Sequence, residues 1–232
     1  MSFRINEKLF LRDPQATALG QGIISKSVVL IDKLGFEQFT FKKLAEEINS
    51  TEASVYRYFE NKHRLLLYLL DWYWSWLEYR IDLSATSIKD PSERLRLSLK
   101  ILSEEKKYDP TFEFVDEAVL YRIVLSEMDK TYQTKQVDDH NKIGFYFEHK
   151  SLCKKIANMV KEINPNYPFP HSLISMVMLS ANQQVFYAQH LPSLTDIKLN
   201  PEKQYEQLYT FLETLVFKTI APTLTKTEND DQ

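Results

Sequence analysis

The chain has 232 residues, 44% hydrophobic and 26% charged, which is enough apolar material for a buried core and argues against disorder over most of its length. Only four glycines occur, Gly20, Gly22, Gly35 and Gly144, so Gly-rich phosphate loops are excluded and a turn-dense β fold is disfavoured. The net charge of −3 hides a mild asymmetry: residues 1–65 carry ten Lys/Arg against eight Asp/Glu, and the remainder nineteen against twenty-four.

In chain order, the first dozen residues show no clear period and are expected to form a loose arm. Asp13-Pro14 reads as a helix start, and apolar residues then recur near the 3.6 period through Leu34, where Gly35 supplies the stop. Thr40 is a good N-cap for a helix over 41–48, in which Phe41, Leu44, Ala45 and Ile48 share one face. Asn49-Ser50 makes a turn, and Thr51 caps a second short helix with Val55 and Phe59 inward. A long helix follows from about Lys62 to Ile81. Further helices are expected over 91–107, 112–136, 139–163, 171–190 and 201–220, with a polar tail from Thr223 to Gln232. The expectation is an all-α chain of nine or ten helices: an N-terminal three-helix head containing a helix-turn-helix, then a larger helical domain.

Two short helices joined by a three-residue turn form the helix-turn-helix arrangement, in which the first helix braces on the phosphate backbone and the second enters the major groove by its N-terminal end. That end here is Thr51-Glu52-Ala53-Ser54, small and polar residues that permit close approach to base edges. Tyr56, Arg57 and Tyr58 sit on its outer faces, and Lys62 opens the next helix. Hydroxyls, a cation and helix N-terminal amides are what phosphate contacts require.

From Ile24 to Leu70 the sequence resembles the DNA-binding head of the TetR family of transcriptional regulators. The resemblance rests on Gly35-Phe36, Phe39-Thr40, Leu44-Ala45, Val55-Tyr56-Arg57-Tyr58-Phe59 and Asn61-Lys62 at fixed spacing. Asn49 stands where the family usually has Gly in the turn; Asn tolerates the left-handed conformation. Ser50 replaces an apolar residue, and Glu52 stands where a basic or neutral residue is common. The resemblance implies phosphate contacts from Lys42, Ser54, Tyr56, Tyr58 and Lys62, with Thr40 at the head of the bracing helix, and base contacts from Thr51, Glu52, Ala53 and Arg57. It also implies a DNA-binding domain over 1–65, an effector-binding and dimerisation domain over 66–222, and double-stranded DNA with a palindromic operator as partner. A homodimer through residues 171–190 and 201–220, and repression relieved by a small molecule, follow from the same resemblance.

The larger part is rich in aromatics, and an apolar or aromatic effector would meet Trp72, Trp76, Tyr79, Phe112, Tyr121, Phe145 and Phe186. Aromatics at helical spacing also serve as plain core. Control by a protein partner in place of a ligand is an alternative, and a helical enzyme or small-molecule-binding protein a more distant one. The five histidines fall in no HExxH pattern, and the single Cys153 permits neither an intramolecular disulfide nor an all-cysteine zinc site. No catalytic set, cofactor or metal is expected. The longest apolar run, residues 65–77, is broken by Asp71 and too short to span a bilayer. With no secretory signal pattern at the start, a cytoplasmic location is expected.

Overall fold

The computed structural model describes residues 2–198 and 204–222, and among these the chain is all-α, with eleven α-helices, two single 3-10 turns and no strand. The predicted polar tail over 223–232, and the first three residues of the predicted last helix, lie outside the described residues. Among the described residues no helix is long and apolar enough to cross a membrane.

Three helices make the head: α1 (Ala18–Leu34), α2 (Phe41–Glu47) and α3 (Glu52–Tyr56). Their starts are set by side-chain caps. Thr17, Thr40 and Thr51 each accept from the backbone N–H three residues on, satisfying one of the donors a helix start leaves free. Gly35 ends α1 at φ 74°, and Asn49 takes φ 50° in the turn, the left-handed conformation its type tolerates. The helix expected from Asp13 begins five residues later, at Ala18. Pro14 is folded back against Gly20, where a Cβ would come within 2.3 Å of the Pro14 carbonyl oxygen, so residues 13–16 are a turn held by the Asp13 carboxylate accepting from the Gln15 N–H.

The body is built around α4 (Lys62–Ala85), capped by Asn61, which accepts from the Arg64 N–H. Nearly all of its first sixteen residues are buried, so it is a central helix without a solvent face. Helix α9 (Phe147–Ile163) packs against α4, α5 (Pro91–Ser103) and α10 (Pro170–His190), and α11 (Gln204–Ile220) covers α5 and α10. Helix α5 stops at Ser103, four residues early. Lys106 turns back and its ammonium donates to the carbonyls of Ile101, Leu102 and Glu104, a C-cap made by a side chain. The helix expected over 112–136 starts at the Asp116 cap and divides into α6 (Glu117–Glu127) and α7 (Asp129–Tyr132), where Thr131 bonds the Met128 carbonyl through both its N–H and its hydroxyl. That expected over 139–163 divides into α8 (Val137–Lys142) and α9 at Gly144, φ 85°.

The opening residues are not loose. Ile5 and Leu9 are buried at 3% and 1% exposure, and residues 2–12 run as an ordered strap from the body to the head. Alternation and 3.6 periodicity are both absent there because the segment is anchored by single side chains, not by a regular face.

Candidate nucleic-acid interface

The two-helix unit is held from behind. Val55 and Phe59 are fully buried at i, i+4 against Phe39, Phe41 and Leu44 in one core, which fixes α3 across α2 and leaves its other side in solvent. Thr40, Lys42, Thr51, Glu52, Ala53, Tyr56 and Arg57 are exposed on that side, and Ser54 is half-buried. The Thr51 hydroxyl caps α3 through the Ser54 N–H and meets the Ser54 hydroxyl at 2.9 Å. Tyr56 stands edge-on to Phe41 with ring centroids 5.0 Å apart, which fixes the ring while leaving the residue 48% exposed. Among the described residues Lys42 and Arg57 make no ion pair, whereas nearby Lys26 is paired with Glu47 at 3.3 Å. The outer face thus offers two unneutralised cations, a fixed phenol and a short helix's free amides, with one carboxylate, Glu52, beside them.

Residues 23–69 match the family model described as bacterial regulatory proteins, tetR family. The chain is thus similar to that family over its head and the first turns of α4. Its head is also 38% identical over 66 residues to the nucleoid occlusion factor SlmA of Shewanella sediminis, a match spanning 28% of this chain and 34% of that relative's length. The whole fold is similar to AibR crystallised with isovaleryl coenzyme A and operator DNA, at 17% identity and TM-score 0.58, covering 85% of this chain and 97% of that one. It is also similar to the ketosteroid transcriptional regulator KstR2 of Mycobacterium tuberculosis, at 14% identity and TM-score 0.53, covering 85% and 93%.

Two residues expected on the DNA face of this tetR-type head are engaged elsewhere. Tyr58 is 1% exposed; its hydroxyl lies 2.7 Å from that of Thr17, and the Arg12 guanidinium sits over its ring. Just past the end of α3 it turns inward with Val55 and Phe59, so it braces α3 on the start of α1. Lys62 donates to the carbonyls of Phe36, Glu37 and Phe39 at 2.9, 3.0 and 3.1 Å and lies over the Phe36 ring. All three of its protons are taken, and the residue staples the α1–α2 connection to the first turn of α4.

The head is joined to the body by polar contacts that no motif announced. Arg122 on α6 donates twice to Asp32 on α1, at 2.8 Å each. Glu127 accepts from the Phe36 N–H at 3.1 Å, and Lys130 bridges Glu127 and Glu37 at 2.7 and 3.0 Å. The sequence signal available was a carboxylate on an otherwise apolar helical stripe, as at Glu127 and Glu117, both of which are buried.

The expected effector residues do not all converge on one place. Trp72, Tyr79 and Phe112 gather around Phe3. Tyr121 stacks on Tyr73, Trp76 packs beside Tyr73 under Arg80, Phe145 lies beneath Arg64 near the head, and Phe186 sits beside His190 on α10. Together they occupy four parts of a close-packed bundle, which is what aromatics at helical spacing do when several helices must be filled at once. A separate cavity of ≈390 Å³ is lined by Trp74, Met128, Tyr132, His149, Met176 and Met178. There the Trp74 indole N–H donates to the Tyr132 hydroxyl at 3.0 Å, and burial pulls the His149 imidazole down to about 4, so it is neutral.

Proposed function

We propose that the chain is a homodimeric transcriptional regulator, a repressor in which residues 1–65 read a palindromic operator and residues 66–222 hold the partner copy and a small apolar effector. The observation that carries this is the outward face of the tetR-type head, where unpaired Lys42 and Arg57, fixed Tyr56 and the Thr51–Ala53 end of α3 share one surface. Lys42, Ser54 and Tyr56 serve phosphates, and Thr51, Glu52, Ala53 and Arg57 serve base edges. Glu52 repels phosphate and suits a cytosine N4 donor.

Dimerisation draws on the outward residues of α10 and α11. Of the apolar stripes on these two helices, Leu173, Val177, Ala181, Val185, Leu208 and Leu212 are buried within the chain's own core, while Ser180 and Leu215 are half-buried and Phe211 is exposed. Met176, Leu179, Leu194 and Phe211 are instead 45%, 48%, 57% and 44% exposed, and a groove of ≈1030 Å³ runs beside Leu194, Ile197, Phe211 and Leu215. This is the surface we assign to the two-fold interface. The apolar character of the effector is supported by the regulators of similar fold, one bound to isovaleryl coenzyme A and one named for ketosteroids.

The test is selection of random duplexes by the purified protein at about 0.1–0.15 M salt, a range where non-specific binding is weak. Enrichment of a palindrome with half-sites about one helical turn apart, or a modest multiple, is the expected result. No enrichment, with retention only at low salt, would remove the operator-binding reading.

A further inference from the structure

The strap formed by residues 2–12 ends in the body on an aromatic ring. Phe3 stacks on Phe112 at 4.7 Å and meets Trp72 and Tyr79 edge-on at 5.1 and 6.0 Å, while Phe114 lies on the far side of Trp72. Trp72 and Tyr79 are two turns apart on one face of α4, and Phe112 and Phe114 come from the connection before α6, so the walls of this cage belong to the body and its occupant to the strap. The occupant leaves one polar group unserved: Trp72 is fully buried, yet its indole N–H finds no acceptor among the described residues. Beside the cage a cleft of ≈520 Å³ lined by Ser2, Gln15, Gln21, Thr111, Glu113 and Phe114 leads to solvent.

The other end of the strap reaches the recognition helix. The Gln15 side-chain amide holds Phe3 by both backbone groups, accepting from its N–H at 3.1 Å and donating to its carbonyl at 2.7 Å. Asn6 donates to the Ile143 carbonyl, and the Leu11 N–H donates at 2.8 Å to the carbonyl of Tyr58, directly after α3. The same Tyr58 is tied to Thr17, and Pro14 lies on Gly20 at a distance that only glycine permits. Ring and recognition helix are therefore two ends of one anchored segment.

We propose that Phe3 is an intramolecular ligand occupying an aromatic effector site, and that a free single-ring aromatic bearing an acceptor oxygen takes its place and releases the strap from Tyr58. The acceptor meets the Trp72 donor that a phenylalanine ring cannot satisfy. A tethered ring competes at an effective concentration on the order of millimolar, so ligands of ordinary affinity suffice to displace it. The proposal names the effector class for the function given above, but the site itself is tested without DNA.

The probe is p-cresol, with toluene as the comparator lacking an oxygen, and the readout is tryptic cleavage of the full chain after Lys8, an exposed residue whose peptide is protected while Leu9 stays buried. Saturating p-cresol is expected to speed this cleavage in the wild type roughly tenfold or more, with toluene weaker. Phe3→Ala is expected to show the fast rate without ligand and to bind p-cresol more tightly, since its competitor is gone. Phe3→Leu keeps apolar bulk and is expected to lie between, which guards against an Ala variant that folds poorly. Wild-type cleavage indifferent to p-cresol, or a Phe3→Ala strap as protected as the wild type, would overturn the site. With an operator in hand, p-cresol and Phe3→Ala are each expected to weaken binding; a released strap with unchanged operator affinity would overturn the switch while leaving the site. Failure to find any operator would count against the regulator reading alone, because the tryptic result stands without it.

Discussion

Two lysines twenty residues apart show how position decides what a charge does. Lys42 is exposed and unpaired, and Lys62 has its ammonium closed over three carbonyls. Lys42→Ala is expected to weaken binding to all DNA sequences about equally and to lower the salt slope by roughly one. Lys62→Ala is expected to leave the salt slope unchanged and to lower the midpoint of urea unfolding, because three carbonyls lose their donor. Arg57→Ala should alter the enriched sequence and not merely its affinity. Glu117 is a third case. Its side chain is fully buried at the start of α6, with one oxygen accepting from the Asp109 N–H and the other without a partner, and burial pushes its carboxyl up to about 7. The unfolded chain gives up this proton near the ordinary 4.5, so the folded state binds more protons between those values and stability falls as pH rises from about 4.5 to about 7. Glu117→Gln is expected to flatten that limb of a stability-against-pH curve and to leave the protein more stable at pH 8 than the wild type.

At the scale of elements, the caps carried the most information. Thr40 and Thr51 mark two helix starts that the structure reproduces to the residue, and Gly35 and Asn49 mark left-handed turns. The breaks that escaped notice have a different origin. Gly144 was visible as a rare glycine, but the helical pattern on either side masked it. The end of α5 depends on a lysine that is three residues past it and curls back, which no local propensity expresses. The head–body joint escaped for a related reason: Glu127 reads as a surface residue until its partner, the Phe36 N–H, arrives from 91 residues away. Glu127→Ala is expected to cost about 1–3 kcal/mol in denaturant titration, because it leaves that N–H buried and unmet and Lys130 without its nearer partner.

For the whole molecule, the assignment of the pairing surface rests on which apolar residues the chain has left over after filling its own core. Periodicity located the stripes of α10 and α11 but could not say which side faces inward, since both sides are partly apolar. Met176→Glu with Phe211→Asp is expected to give a monomer in sedimentation at micromolar concentration, with helical content retained and operator binding lost. The aromatics expected at an effector site spread over four regions because several helices meet there, and Trp72, Tyr79 and Phe112 share the region around Phe3.

The Lys62 staple has a consequence for how any of these signals travels. Because Lys62 fastens the first turn of α4 to the α1–α2 connection, a tilt of α4 is expected to carry α2 and α3 with it, as a lever carries its tip. The 24 residues of α4 make an arm of about 36 Å at 1.5 Å per residue. A swing of about 5° at the aromatic end carries the tip roughly 3 Å, close to the 3.4 Å spacing of successive base pairs. Gearing of this kind lets an event the size of a single ring be read out in units of one base pair.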